Sequence, residues 1–234
     1  MVYRSKFDWI GRFLSPDASV LDLGCVCHDL DQTAVPWLHQ FLVERAGRVV
    51  GVDILPEAVE RMKREGYQAV CADAETLNLG ETFDVVVAGD ILEHLDNPGE
   101  FLDHAARHLA SNGVLLLTTP NPVTYVRLLR VLFKGHAGAN KEHTCWFTAK
   151  VLRQLAERHG LGVAEEAFVD DTRLFYPWWK PVSRGSAVRR FFRRVNRLLG
   201  MLLIWKPAVW FQSLLCRLRP RLAETLCLAL RKVE

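Results

Sequence analysis

The sequence predicts an α/β fold built on a doubly wound, mostly parallel sheet, and three observations support this prediction. Short β-rich runs alternate with amphipathic helical patterns, which is typical of right-handed β-α-β crossovers. Most of these runs end near a turn residue or an acid, and acids at strand ends are typical of the ligand edge of such a sheet. The run FDVVVAG at 83–89 is almost continuously apolar, which indicates a strand covered on both faces. A chain of 234 residues with 50% hydrophobic content can bury one such core plus an appended segment.

Local signals predict each element in turn. Pro56 opens and Gly66 closes one helix, Asn97 and Pro98 open a second as cap and first-turn residue, and Thr148 caps a third. The expected strands are the β-rich runs at 19–24, 48–53, 68–72, 83–89 and 113–119, followed by two later runs near 162–168 and 172–176. The predicted domain therefore spans residues 1–180.

A glycine and two acids stand at or just after the ends of three consecutive predicted strands. Asp53 ends the second strand, where a carboxylate can accept hydrogen bonds from both hydroxyls of a ribose. Gly24 ends the first strand and lets a ligand approach the backbone, while Asp73 follows the third and could face an exocyclic amine. Each carboxylate alone could be a turn or cap residue, but together they indicate a site for an adenosine-containing cofactor.

These runs resemble the ordered motifs of the class I S-adenosylmethionine-dependent methyltransferases. The matching segments are VLDLGC at 20–25, VVGVDI at 49–54, CADAETLNL at 71–79 and the apolar run at 83–89, and the likeness covers residues 18–170. It implies a seven-stranded sheet whose last strand is antiparallel, and S-adenosyl-L-methionine as the cofactor. The cofactor-binding residues that it implies are Asp22, Gly24, Cys25, Asp53, Ile54, Asp73, Ala74, Gly89 and Asp90.

One loop departs from the family pattern. Where the family usually shows Gly-Cys-Gly-x-Gly, this chain has Gly24-Cys25-Val26-Cys27-His28, and the added side chains would crowd the usual cofactor path. Two interpretations remain open: a tolerated variant that binds the cofactor, or an inactive scaffold that binds a membrane or a partner through its basic tail. A nicotinamide oxidoreductase is disfavoured, because the glycine fingerprint for pyrophosphate is missing.

The segment Asp90-Ile91-Leu92-Glu93-His94 follows the buried fourth strand, where a ligand crevice is expected. It resembles the Glu-x-x-Glu-His signature of quinone-biosynthesis and small-RNA 2′-O-methyltransferases, in which these groups hold a divalent cation. The resemblance makes Asp90, Glu93 and His94 candidate ligands of Mg²⁺, or His94 the general base of a hydroxyl acceptor. In many relatives without a metal this segment only orders the loop, and that alternative stays open.

A second polar segment, at 140–148, resembles the family segment that borders the acceptor pocket. It makes His143 a second candidate base or ligand, with Trp146 and Phe147 as an apolar wall, although a helix-entry loop would look similar. The whole pattern most resembles bacterial methyltransferases of cell-surface polysaccharide assembly. A hydroxyl acceptor on a lipid-linked glycan is therefore expected.

The C-terminal segment at 181–234 is predicted to be a basic, apolar, helical extension. Residues 184–234 carry twelve Lys and Arg against two Glu, whereas the whole chain has a net charge of only +3. The apolar runs at 198–205 and 208–216 are too short to span a membrane, and Lys206-Pro207 separates them. Residues 184–221 are expected to lie on an anionic membrane surface, with packing on the sheet or at a dimer interface as the alternative. Nucleic acid is a less suitable partner for such long apolar runs.

The expected location is the cytoplasm, with peripheral attachment to the inner membrane face. The six cysteines lack paired zinc spacing and are best explained as thiols in a reducing compartment. The first thirteen residues alternate charged and aromatic side chains and lack the apolar core of a signal peptide.

Overall fold

The computed structural model describes residues 1–26, 37–138, 140–170 and 206–233. All strands of this part of the chain belong to one mixed sheet. They are β1 (Val2–Tyr3), β2 (Ser19–Leu23), β3 (Arg48–Asp53), β4 (Ala69–Cys71), β5 (Phe83–Gly89), β6 (Leu109–Pro120), β7 (Leu161–Val169) and β8 (Thr225–Lys232). Their order across the sheet is β1-β7-β8-β6-β5-β2-β3-β4. The predicted α/β class is confirmed.

The strands from β6 to β4 form the parallel part of the sheet. β5 pairs in parallel with both β2 and β6, and β3 does so with β2 and β4. A helix lies between β2 and β3, between β3 and β4 and between β5 and β6, as crossover connections of parallel strands usually have, whereas the segment between β4 and β5 contains none. The carboxyl ends of these strands therefore meet at one edge, where the acids predicted from the sequence are placed.

Strand β8 corrects the predicted C-terminal extension. Residues 225–232 pair antiparallel with β6 on one side and with β7 on the other. A helical extension to residue 234 is therefore wrong for this stretch, because Leu226, Leu228 and Leu230 alternate with other small or apolar residues and are fully buried in the sheet. The predicted antiparallel last strand is confirmed.

The predicted count of seven strands was one too few. The additional strand, β1, has only two residues and pairs in parallel with Phe168 and Val169 of β7 at the sheet edge. A two-residue strand is too short to show an alternating pattern in the sequence. The β-like run predicted at 172–176 lies outside the described residues.

Seven α-helices are described, and the three whose starts the sequence predicts begin there, although the Asn97 side chain donates to Glu75 and does not cap its helix. Thr148 Oγ1 accepts the Val151 N–H at 3.3 Å and caps its helix, and Pro56 and Pro98 occupy first turns. The helices are α1 (Lys6–Ile10), α2 (Leu38–Val43), α3 (Pro56–Arg64), α4 (Pro98–Arg107), α5 (Tyr125–Lys134), α6 (Ala149–Arg158) and α7 (Lys206–Leu218). None that the structure describes is long and apolar enough to cross a membrane.

The core lies on both faces of the sheet. One buried cluster contains Val86 and Leu115 with residues of α4 and α6, and the other contains Val85 and Leu116 with Trp9 of α1. Neighbouring residues of one strand thus enter opposite clusters, as the period of two in a strand requires. This double coverage explains the continuous apolar character of β5 and fixes the sheet edge that carries the candidate site.

Candidate active site at the carboxyl ends of the strands

Asp53, at the end of β3, holds the first two loops of the site together. Its Oδ2 atom accepts the Val26 N–H at 2.9 Å, and its Oδ1 atom accepts the Leu55 N–H at 3.1 Å. A carboxylate has about four lone-pair positions, so two more hydrogen bonds can be accepted from a ligand. The adjacent Ile54 leaves 64% of its side chain exposed, which places an apolar surface beside this carboxylate.

Gly24 has a backbone conformation and a close neighbour that favour glycine, while its approach to a ligand stays a prediction. Its φ of +76° is in the left-handed region, and a Cβ there would lie 3.0 Å from Ile91 Cδ1. Cys25 is instead a core residue, because its thiol is buried against Met62 and burial raises the pKa of that thiol. Its N–H donates to the Val52 carbonyl, and its carbonyl accepts from the Trp37 indole. Cys27 and His28 lie outside the described residues.

Asp22 lies beneath this loop in the interior. It is 1% exposed, and its Oδ2 atom lies 2.9 Å from Nδ1 of the fully buried His39. Among the described residues, Asp22 Oδ1 and His39 Nε2 have no hydrogen-bond partner. The sequence did not point to His39, because a histidine in a short helix gives no signal that it will reach a strand seventeen positions earlier.

Asp73 and Ala74 form the turn after β4. Asp73 is exposed and accepts the Glu75 N–H on Oδ1 at 2.9 Å, whereas Ala74 is buried. Glu75 in turn accepts the N–H groups of Asp96 and Asn97 at 2.7 and 2.9 Å. The turn that carries Asp73 is therefore fixed to the loop that follows Glu93 and His94.

Gly89 and Asp90 lie at the end of β5, where a neighbouring side chain leaves no room at Gly89 and the backbone of Asp90 is left-handed. A Cβ on Gly89 would lie 2.6 Å from Leu38 Cδ2, and Asp90 has a φ of +56°. Thr118 Oγ1 donates to Asp90 Oδ1 at 2.9 Å, and Lys6 Nζ donates to Oδ2 at 2.6 Å. Burial opposes the positive charge of Lys6, but attraction and hydrogen bonding by Asp90 outweigh it and raise the pKa of Lys6.

Glu93 is the buried acid of the site. Only 1% of it is exposed, and Thr119 Oγ1 donates to its Oε2 atom at 2.9 Å. Burial, together with the charge of nearby Asp90, raises the pKa of Glu93 to about 7. Its main-chain carbonyl accepts the Thr144 N–H at 2.8 Å, so the same residue fixes the second polar segment to the first.

His94 and His143 meet beside Glu93, although 49 positions separate them in the chain. Their rings lie 4.8 Å apart between centroids and are nearly perpendicular, at 82°. Burial lowers the pKa of His143, with further contributions from His94 and Arg127, so its imidazole is neutral near pH 7. His143 Nδ1 is buried and has no hydrogen-bond partner among the described residues.

One group of possible metal ligands is found in the described part of the chain. Glu93, His94 and His143 each offer a ligand atom, and these atoms lie within 4.8 Å of one another. Asp90, a candidate from the sequence, is not in the group, because it pairs with Lys6. One carboxylate and two imidazoles suit a divalent ion that accepts nitrogen better than they suit Mg²⁺, which prefers oxygen. The buried Nδ1 atom of His143 fits such an ion.

Two supporting residues were not predicted as site residues. Lys6 comes from α1, 84 positions before Asp90, and no local pattern connects them. Arg127 of α5 lies 4.6 Å from the Trp146 ring centroid and donates to the Gly138 carbonyl at 2.6 Å. Arg127 thus connects α5 to the segment that carries His143, whereas Phe147 of that segment is buried in the core.

Comparison with known proteins identifies the family of the chain. The profile of the family described as "Methyltransferase domain" matches residues 2–166. A ubiquinone biosynthesis O-methyltransferase of Nitrobacter winogradskyi is 27% identical over 181 residues, which are 70% of this chain and 65% of that protein. A ribosomal protein L11 methyltransferase of Dechloromonas aromatica is 37% identical over 120 residues, or 49% of this chain and 36% of the relative. The chain spans less than two thirds of these relatives.

Solved structures of low sequence identity share the fold. A SAM-dependent methyltransferase from Archaeoglobus fulgidus matches with a TM-score of 0.59 at 14% identity, covering 97% of this chain and 91% of the other. Magnesium protoporphyrin IX methyltransferase of Synechocystis, solved with bound SAH, matches with a TM-score of 0.56 at 15% identity, covering 97% and 82%. Both likenesses concern the sheet and its helices.

Proposed function

Since this chain is a class I S-adenosylmethionine-dependent methyltransferase and belongs to the methyltransferase domain family, we propose that it methylates a hydroxyl oxygen of its acceptor. The observation that carries this proposal is the His143 imidazole, which lies against His94 and beside buried Glu93 and has a buried Nδ1 atom without a partner among the described residues. A hydroxyl acceptor must lose a proton during methyl transfer, and a neutral imidazole is the side chain best suited to take it near pH 7.

The cofactor would lie along the carboxyl ends of β2 to β5. Asp53 would accept hydrogen bonds from the ribose hydroxyls, and Ile54 would contact the adenine. Gly24 would allow the methionine end of the cofactor to lie close to the backbone. Synechocystis magnesium protoporphyrin IX methyltransferase, which shares the fold, was solved with SAH. The main-chain N–H of Val26 donates to Asp53, so this carboxylate fixes the loop that departs from the glycine-rich pattern.

In the proposed reaction the hydroxyl oxygen attacks the methyl carbon as the bond from that carbon to the sulfonium sulfur breaks. The products are the methyl ether and S-adenosylhomocysteine, and the hydroxyl proton goes to a ring nitrogen of His143. Most of the acceleration comes from alignment of donor and acceptor, with proton removal adding roughly 10²- to 10⁴-fold. His94 would hold the imidazole of His143 by its perpendicular ring contact.

A divalent cation fits the same residues. Glu93, His94 and His143 would hold it, and when bound it would polarise the acceptor hydroxyl and favour the ionised oxygen. The Glu93 pKa of about 7 means that much of this carboxyl is protonated at neutral pH without such an ion. Asp90, which the sequence suggested as a Mg²⁺ ligand, would not hold the cation. It would position Lys6 at the edge of the site.

The proposed acceptor is any compound with a reactive hydroxyl group, which is a broader class than the lipid-linked glycan expected from the sequence. Several curated relatives are named as ubiquinone biosynthesis O-methyltransferases, and that name supports a hydroxyl acceptor for this chain. The glycan acceptor stays a prediction, as does the alternative of an inactive scaffold. Both are decided by the same assay.

The assay measures transfer of a labelled methyl group from S-adenosylmethionine to a panel of hydroxylated aromatic and glycan acceptors. We expect a methylated product that depends on His143, with His143→Ala lowering the rate at least about tenfold. His136→Ala, which removes an exposed histidine outside the site, is the matched control. Absence of any methylated product from wild type, or equal rates for wild type and His143→Ala, would contradict the proposal.

A further inference from the structure

Two helices next to the candidate site expose apolar side chains. On α5, the exposed residues are Leu128, Val131, Leu132 and Phe133, and the last two leave 74% and 78% of their surface accessible. On α7, they are Trp210, Phe211, Leu214 and Leu218. We call these eight residues the α5–α7 surface. Isolated exposed apolar residues are common, but a group of this kind marks an interaction surface.

Helix α7 is attached to the protein by its polar side. Gln212 is fully buried, donates from Nε2 to Asp170 at 2.7 Å and accepts from the Tyr125 hydroxyl of α5 at 3.1 Å. Ser213 donates to the other oxygen of Asp170 at 3.1 Å. The apolar residues at 211, 214 and 218 share the opposite stripe by their helical spacing. An amphipathic helix in this orientation presents its apolar stripe outward.

Positive side chains, and no negative ones of the same two helices, surround the α5–α7 surface. Neither helix contains Asp or Glu, and Arg130 and Arg217 are exposed on them. Arg219 and Arg221 are exposed directly after α7. Exposed apolar residues interleaved with arginine match the interface of an anionic bilayer, where acyl chains bury the former and headgroups attract the latter.

The arginines around the α5–α7 surface disfavour two other partners for it, a basic segment of the same chain and a second copy of the chain. Residues 171–205 contain eight Lys and Arg and one Asp, so they would be repelled by these arginines. In a symmetric contact with a second copy of the chain, the arginines would face one another. An anionic surface is the partner that lowers this repulsion.

The surface continues into the acceptor side of the site. Arg127 of α5 lies over the Trp146 ring, and Trp146 is three positions after His143. We propose that the α5–α7 surface binds an anionic membrane and places the acceptor side of the site at the bilayer. The acceptor class is then a hydroxyl compound with a lipid tail, and this part rests on the proposed function.

The test is sedimentation of the full chain with vesicles, without cofactor or acceptor. Vesicles of phosphatidylcholine mixed with phosphatidylglycerol should bind the protein, and vesicles of phosphatidylcholine alone should bind it far more weakly. In Leu132→Glu/Phe133→Glu, the partition coefficient should fall at least about tenfold. Val43→Glu/Val151→Glu, which adds the same charge at exposed valines of α2 and α6, should bind as wild type does.

The thermal unfolding of each variant is recorded first, and Trp210→Glu on α7 replaces the double variant if the latter does not fold. Wild-type protein that does not bind the mixed vesicles would overturn the proposal. Equal binding by wild type and the α5 variant would also overturn it and would assign binding to another segment, such as 171–205. Because no methyl transfer is measured, failure here is distinct from failure of the proposed function.

Discussion

Replacement of Glu93 by Gln should change how the stability of the protein depends on pH. The folded protein holds the Glu93 proton more tightly than the unfolded chain does, because burial raises its pKa from 4.5 to about 7. The stabilisation from the protonated acid is therefore complete below pH 4.5 and is lost as pH rises through 7. A rise in pKa of this size corresponds to about 3 kcal/mol. The side-chain oxygen of the substituted Gln can still accept the hydrogen bond from Thr119, but the Gln side chain does not bind or release a proton in this pH range.

The assay is urea unfolding of wild type and Glu93→Gln from pH 5 to pH 8, with a chelator present so that no divalent ion compensates. The two proteins should have similar free energies of unfolding near pH 5, and the variant should be more stable by up to about 3 kcal/mol near pH 8. Glu57→Gln, an exposed carboxylate of α3, controls for loss of one charge. Parallel pH curves for wild type and Glu93→Gln would show that folding does not raise the pKa of Glu93.

Three further predictions concern single groups. If His143 is the general base, the midpoint of the decline of kcat/KM at falling pH should lie below 6.5, because burial lowers the pKa of His143. A midpoint above 6.5 would exclude that role. Lys6→Met should lower the free energy of unfolding by about 1 kcal/mol, and a double-mutant cycle with Asp90→Asn should assign that loss to their ion pair. Gly51→Ala should cost about 1–3 kcal/mol in urea unfolding, since its Cβ would lie 2.7 Å from a buried sulfur, whereas Gly162→Ala should cost less.

The sequence predicted the parallel part of the fold because local signals and tertiary structure agree there. The run at 83–89 is apolar since β5 is buried on both faces, and Thr148 is a cap in the sequence and in the structure. Strand β8 was missed because its residues follow two basic, helix-like stretches, and its partners β6 and β7 lie far away in the chain. Only the sheet as a whole explains why residues 225–232 are extended.

The sequence suggested most residues of the candidate site one by one, but it did not show how they lie relative to one another. His94 and His143 were each suggested by a motif, and the structure places their rings in contact because Thr144 bonds to the Glu93 carbonyl. Lys6 could not be inferred, since an ion pair over 84 positions leaves no local trace. Asp90 pairs with Lys6 and is not among the clustered metal ligands, which the motif alone could not show.

We expect the carboxyl ends of the strands to bind S-adenosylmethionine through Asp53. Calorimetric titration of S-adenosylhomocysteine into wild-type protein tests it most directly, with Asp53→Ala as the variant and Asp17→Ala, an exposed carboxylate outside the site, as the control. We expect binding in the micromolar range, about −8 kcal/mol, for wild type and the control, and none for Asp53→Ala. No binding by folded wild-type protein would show that the protein lacks this cofactor site, and equal binding by Asp53→Ala would show that Asp53 does not hold the cofactor.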